Sequence, residues 1–251
     1  MSPKGEPFLT KKDYVIKQGQ VVPAFDPFTQ PFFIANEGLS AITPDVLNSQ
    51  LLLKAFEPNF MWQADPLIQD WNEDRLLFNG QQAYIEAATL MPLIHTPHGI
   101  HMVLTRRAKH LKKHSGQISF PGGRIDVTDV SAANAALRET HEEIGVEPYY
   151  VQLLGQMPDL FTGTGFLMRS YVAELRPGYT FRANADEVDE VFTVPLAFLM
   201  DPAHHRLHTA ALPDGKVRSY FSMPWNDYYI WGATAAVIRN FYFRLQQALR
   251  S

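Results

Sequence analysis

Apolar and polar positions divide the chain into two unlike parts near residue 80. Before that point prolines and aromatics are scattered without a period. In VPAFDPFTQPFF, from Val22 to Phe33, Pro23, Pro27 and Pro31 exclude a long helix and favour extended, ordered loops. One helix is expected here, near Asp45–Phe56. Residues 1–80 therefore read as an N-terminal extension packing on a main domain of residues 81–251.

From Ala87 the pattern becomes regular. Ala87–Ile94 and Ile100–Thr105 are apolar runs separated by His95-Thr96-Pro97-His98-Gly99, which reads as a hairpin. Pro92 within the first run predicts an edge strand or a bulge, because proline has no N–H for a ladder. A helix is predicted from Ser131 to Ile144, with Asp129 or Ser131 as its cap and Gly145 as its stop. Further strands are expected at Val151–Gln156, Phe166–Glu174, Glu190–Val194, Leu207–Leu212 and Val217–Met223. The turn Pro213-Asp214-Gly215 joins the last two. Helical periodicity returns from Gly232 to Leu249. Strands on both sides of a central helix, then a terminal helix, predict an α+β or α/β sandwich rather than a regular βαβ array.

Composition narrows the chemistry. The chain has 251 residues, 46% hydrophobic and 19% charged, enough apolar surface for a substantial core. It has no cysteine, which removes disulfides, thiolate metal sites and cysteine nucleophiles together. Its net charge of −4 gives no global attraction to nucleic acid or to anionic membranes. Apolar runs such as Tyr228–Ile238 fall short of the roughly 20 residues a bilayer demands. The first residues lack the apolar stretch of a secretory signal, and Ala-Leu-Arg-Ser at the end is no peroxisomal address. A cytoplasmic protein with neither a membrane nor a nucleic acid as partner is expected, and a homodimer is compatible with this.

The informative segment is FPGGRIDVTDVSAANAALRETHEEIGV, from Phe120 to Val146. On a helix, Glu139 and Glu143 stand one above the other with Glu142 beside them. Like charges at this spacing repel. A solvated acidic face compensated by Arg138 and His141 is the plain reading. A hard divalent cation such as Mg²⁺ or Mn²⁺, which takes oxygen ligands and is commonly shared with substrate phosphates, is the functional one.

The segment resembles the Nudix box through Gly123, Arg138, Glu139, Glu142, Glu143, Gly145 and Val146. It departs in three ways. Asp129 stands where glutamate is usual, the spacing from there to Arg138 is one residue longer, and Thr140 replaces an aliphatic residue. The first two are also features of the coenzyme A pyrophosphatase branch. Upstream, Leu104, Thr105, Arg106, Leu111, His114, Gly116 and Gln117 resemble that branch's signature. So do Thr162–Phe166, Val194-Pro195-Leu196 and Ile230–Ala235 downstream.

The resemblance implies an α+β Nudix fold, an α/β/α sandwich with a mixed sheet and a loop–helix–loop catalytic box. It implies water attack on the pyrophosphate of a nucleoside diphosphate derivative, with coenzyme A or acyl-coenzyme A favoured. By analogy Glu139 and Glu143 hold Mg²⁺ or Mn²⁺, Glu142 completes the shell or holds a second ion, the Gly123 carbonyl adds a ligand and Arg138 orients the carboxylates. Glu187, from Asp186–Glu190, is the first choice of catalytic base, with Glu139 competing. Arg106, Arg107, Lys109, Lys112 and Lys113 are five of the 22 basic residues within eight positions, with no acid among them. Arg106 or Arg107 suits phosphate, since guanidinium reads it bidentately, and His114 and Gln117 complete the expected substrate-binding set. A lysine-rich loop in water is the bland alternative for the cations. The His204-His205-x-x-His208 run reads as a surface turn, and Trp231, Phe161 and Phe166 as buried core rather than a base-stacking surface. Alternatives to coenzyme A cleavage are hydrolysis of ADP-ribose or another nucleoside diphosphate derivative, and a non-catalytic Nudix ligand sensor.

Overall fold

In the central strands neighbouring apolar residues point to opposite cores, Leu93 and Met102 to one side and Ile94 and Val103 to the other, as a period of two requires. The computed structural model describes residues 14–17, 20–23, 26–70, 84–112, 114–211 and 217–251. Lys113 and the turn expected at Pro213-Asp214-Gly215 lie outside the described residues. β1 (Tyr14–Lys17) and β2 (Gln20–Pro23) pair antiparallel. β3 (Phe32–Ile34) and α1 (Ser49–Ala55) follow. Next come β4 (Ile85–Thr96), β5 (Gly99–Arg107), β6 (Ile118–Ser119), β7 (Gly122–Arg124) and α2 (Ala132–Ile144). β8 (Val151–Gln156), β9 (Leu160–Phe161), β10 (Phe166–Leu175), β11 (Val188–Pro195) and α3 (Leu196–Leu199) lead into the last segment. That segment comprises β12 (Arg206–Ala211), β13 (Val217–Trp225), β14 (Tyr228–Trp231) and α4 (Ala233–Arg250).

The spine of the main sheet has the order β11-β5-β4-β10-β8, with β6, β7 and β9 paired beside it. β4 and β10 run parallel and the other pairs antiparallel, so the sheet is mixed. α2 covers one face through Ala135 and Ala136 against Ala88, Leu90 and Ala173. The small alanines let helix and sheet approach closely. The other face meets α1, α4 and a second, antiparallel sheet of order β14-β13-β12-β3. The class is α+β, a mixed sheet between helices, with that second sheet sharing one outer layer.

Pro92 corrects one expectation, since it lies in the centre of the sheet and not at an edge. β4 pairs with β5 through residues 93–96 and with β7 through residues 87–89. Pro92 falls where the strand changes partner, so on that flank no ladder bond is asked of its missing N–H.

Residues 42–68 of the extension share the main core. Ile42, Leu47, Leu51, Leu52, Ala55 and Ile68 pack in one cluster with Val237, Ile238 and Phe241 of α4. Polar ties reinforce this contact. Arg244 Nε donates to the Ala55 carbonyl at 2.6 Å, and Arg239 Nε pairs with Asp65 at 2.9 Å inside the protein. Both partners of that ion pair are buried, so removing one would strand the other's charge.

The histidines near residue 205 also depart from the reading as a surface turn. His205 and His208 are buried, and only His204 keeps substantial exposure. His205 Nε2–H donates to the Leu199 carbonyl at 2.8 Å, which leaves Nδ1 to accept from Arg239 Nη1 at 2.9 Å. That bond needs a neutral ring. Burial, followed by the Arg239 charge, pushes the His205 pKa down to about 3. Below the unfolded value near 6.5 the unfolded chain binds a proton that the native chain refuses, so stability is complete above pH 6.5 and lost as pH falls toward 3. Urea unfolding at a series of pH values should show this His205 contribution as a slope of about 1.4 kcal/mol per pH unit. His205→Gln should lack it, and equal slopes in the two proteins would contradict the neutral-ring assignment.

Candidate active site

The glycine turn and the acidic helix are brought together by pairing and packing. β7 lies antiparallel to β4, with Ala88 opposite Gly123 and Thr89 opposite Gly122. Ser131, not Asp129, caps α2, accepting from the Asn134 N–H at 3.2 Å. At the other end Gly145 adopts the left-handed conformation at φ 72° and its N–H bonds the His141 carbonyl. Such a φ strains any residue carrying a Cβ. Thr140, the substitute for an aliphatic residue, is wholly buried and spends its hydroxyl on the Ala136 carbonyl at 2.6 Å. Its packing role is thereby kept without an orphaned polar atom.

Arg138 is the hub of the cluster. Nε and Nη2 grip the two Asp129 oxygens at 3.0 and 2.9 Å. Nη1 donates to Glu139 and to Glu142, both at 2.9 Å, and Nη2 also reaches the Arg124 carbonyl at 3.2 Å. The guanidinium beside it holds the Asp129 carboxyl below the usual range. Glu139 lies against Gly123, where an added Cβ would come within 2.5 Å of its carboxyl carbon. Only glycine leaves that carboxylate its place.

Glu143 is 5% exposed and accepts from the Gly122 N–H at 3.1 Å. Burial, with the Glu139 and Glu187 charges added, pushes its pKa up to about 8 against the pull of that bond and of Arg107. Burial also raises Glu139, opposed by Arg138. Glu187 thus bears electrostatically on both. Its loop is fastened to the end of α2, with the Arg182 N–H donating to Ile144 and the Asn184 N–H to Glu143, at 2.8 and 2.9 Å. The Glu187 carbonyl in turn accepts from the Ala108 N–H at 2.8 Å.

The remaining expected residues divide between two places. Arg107 acts on Glu143, whereas Arg106 pairs with Glu190 at 3.3 Å and lies 4.8 Å over the Tyr228 ring. His114 and Gln117 bond each other at 2.8 Å in the loop between β5 and β6. Trp231, expected in the core, is half-buried and lines a cleft with Arg106 and Gln117. Phe28, Lys109 and Tyr229 of that cleft were absent from the substrate-binding set. Lys109 at least belonged to the cation cluster, but nothing local ties residue 28 to residue 229.

Among the described residues no three His, Cys, Asp or Glu side chains form a ready-made metal cage. The donor chemistry nevertheless suits a hard cation. Glu139 feels the charges of Glu142 and Glu187, and Glu143 those of Glu139 and Glu187, and Mg²⁺ needs only one or two carboxylates beside water and phosphate oxygens.

The NUDIX domain family model matches residues 86–215, just over half of the chain, and the chain belongs to this family. The uncharacterized Nudix hydrolase NudL of Escherichia coli (strain K12) is 39% identical over 155 residues, 61% of this chain and 79% of NudL. NudL of Salmonella newport (strain SL254) is 37% identical over 154 residues, again 61% of this chain and 79% of the relative. A solved MutT protein from Methanosarcina mazei Go1 is similar at 19% identity and a TM-score of 0.43, over 68% of this chain and 99% of that one. The protein is a Nudix-type hydrolase of nucleoside diphosphate derivatives, a class that works with divalent cations. Among the described residues no helix is long and apolar enough to cross a membrane.

The hub makes a prediction about stability. Lysine cannot span Asp129, Glu142 and the Arg124 carbonyl at once, so Arg138→Lys should lower the unfolding free energy by about 1–2 kcal/mol. Urea denaturation reads this, and an unchanged midpoint would show that the guanidinium network holds nothing.

Proposed function

We propose that the chain hydrolyses the diphosphate of coenzyme A or an acyl-coenzyme A, giving phosphopantetheine and adenosine 3′,5′-bisphosphate. The observation that carries this reading is the acidic cluster, where one arginine faces Asp129, Glu139 and Glu142 beside the buried Glu143. Glu139 and Glu143 would hold Mg²⁺ or Mn²⁺, with Glu142 and the Gly123 carbonyl as further ligands. A bound cation neutralises phosphate charge, polarises phosphorus and lowers the pKa of a bound water.

The chain's own groups do the rest. Arg138 keeps Glu139 and Glu142 aimed. Glu187 takes a proton from the attacking water as its oxygen bonds one phosphorus. The bond from that phosphorus to the bridging oxygen breaks, and the bridging oxygen leaves on the other phosphate. Arg107, on the Glu143 side of β5, bears on the diphosphate. Residues 81–251 form the catalytic part in this reading, with residues 1–80 as an extension whose described residues 42–68 pack on it. Coenzyme A is favoured over other diphosphates by the sequence signature around Arg106, His114 and Gln117 and by the cations beside it.

Glu139→Gln should cut turnover by at least about 10²-fold while the circular dichroism spectrum stays unchanged. A near-normal rate would remove Glu139 from the site. A panel of coenzyme A, dephospho-coenzyme A, ADP-ribose and diadenosine polyphosphates, each with Mg²⁺ or Mn²⁺ and with products identified, tests the substrate. Preference for coenzyme A is the expected result. Faster cleavage of ADP-ribose would move the activity to that class, and tight binding without turnover would make the chain a sensor.

A further inference from the structure

A second concave surface lies across β5 from the acidic cluster. Arg106 and Arg107 are neighbours on one strand and so point to opposite sides. Arg107 acts on Glu143, and Arg106 lines a cleft of about 500 Å³, within the range of small-molecule sites. The two sites share a strand. Ile118 lines the cleft, and the Gly122 N–H, four residues on, holds Glu143. An extended chain covers that separation in at most about 14 Å, within reach of a ligand with two bulky ends.

Three of the cleft's walls are aromatic: Phe28, Tyr229 and Trp231. All three lie outside the segment matched by the family model. Phe28 comes from the N-terminal extension and is firmly placed. Tyr220 and Tyr229 both donate their hydroxyls to the Pro27 carbonyl, at 2.8 and 2.9 Å. The Phe28 N–H donates to Asp26 at 2.9 Å, and its ring lies 4.6 Å from that of Tyr229. The Phe28 side chain nonetheless remains exposed, 65% for the residue. An aromatic ring fixed through its backbone with a face uncovered is a stacking platform.

The polar lining complements it. Gln117 Oε1 accepts from His114 Nδ1, so its amide N–H groups are left to donate. Adenine presents ring nitrogens that accept. Arg106 is committed to Glu190 and Tyr228, whereas Lys109 has no ion-pair partner among the described residues. Pro27 and Ile118 add apolar surface beside the rings and Asp227 adds one acid, so a flat base suits these walls and Lys109 is the cation left for its phosphate.

We propose that this cleft binds the phosphorylated nucleoside end of the substrate, with the base against Phe28 and Trp231, its edge at Gln117 and its phosphate at Lys109. The N-terminal extension is then part of the substrate site. The assignment of this end to a diphosphate substrate rests on the hydrolase reading above, but nucleotide binding itself needs no turnover.

The test uses the full chain without metal, titrated calorimetrically with adenosine 3′,5′-bisphosphate, adenosine 5′-monophosphate and 4′-phosphopantetheine. The bisphosphate should bind. Phe28→Ala, whose exposed ring can be lost without unfolding, should weaken it about tenfold at unchanged melting temperature. Lys109→Ala should reduce bisphosphate affinity to that of the monophosphate and leave the monophosphate unchanged. No binding by the parent protein, equal affinity in Phe28→Ala, or Phe28-dependent binding of phosphopantetheine instead would each overturn the proposal. Phe28-dependent nucleotide binding in a protein that cleaves no diphosphate would uphold the cleft and sink the hydrolase reading. Turnover of coenzyme A with Phe28-independent binding would do the reverse.

Discussion

The acidic end of this molecule depends on a single guanidinium. Asp129 sits on a loop and Glu139 and Glu142 on a helix, and without a shared cation their charges would drive loop and helix apart. Arg138 meets all three and takes the Arg124 carbonyl as well. Planarity matters here, because donors fixed in a fork can satisfy acceptors from the loop, the helix and β7 at once. Glu143 lies outside that grip. Its charge is met by the backbone N–H of Gly122 and by the more distant Arg107, which leaves it the acid most in need of a cation.

The rest of the fold supplies a rigid frame for this arrangement. The segment after Phe181 closes the last turn of α2 by bonding Ile144 and Glu143, and its continuation carries Glu187 toward the same carboxylates. On the far side of the mixed sheet, α4 fastens the N-terminal extension through apolar packing and through Arg239 and Arg244. Residues 42–68 of the extension are therefore part of the core, while the Tyr220 and Tyr229 hydroxyls on the Pro27 carbonyl hold Phe28 at the cleft.

Local patterns in the sequence were legible where local chemistry decides. α2 and its stop at Gly145, the β4–β5 hairpin and α4 all follow from period, cap and turn. Helix geometry places Glu139 and Glu143 on one face, and the resemblance to the Nudix box is what marks them as site residues rather than a solvated acidic face. What escaped depends on distant partners. β7 is nearly all glycine and is a strand only because β4 offers it a ladder. Pro92 looked like an edge because a change of partner within one strand leaves no mark in composition. His205 looked like a turn residue because Arg239, which reads its ring nitrogen, lies 34 positions away. The cleft escaped for the same reason, since residues 28, 109 and 229 meet only after folding.

Asp129 and the loop after it illustrate a trade of lengths. The carboxylate that Arg138 grips is one methylene shorter than the glutamate usual in the family, and one more residue separates it from that arginine. Reach has been shifted from side chain to main chain. Lengthening the acid alone would push its oxygens past the fork, and shortening the loop alone would leave them short of it. The two features compensate each other in this chain, so changing one alone would cost Arg138 its two-pronged grip on Asp129.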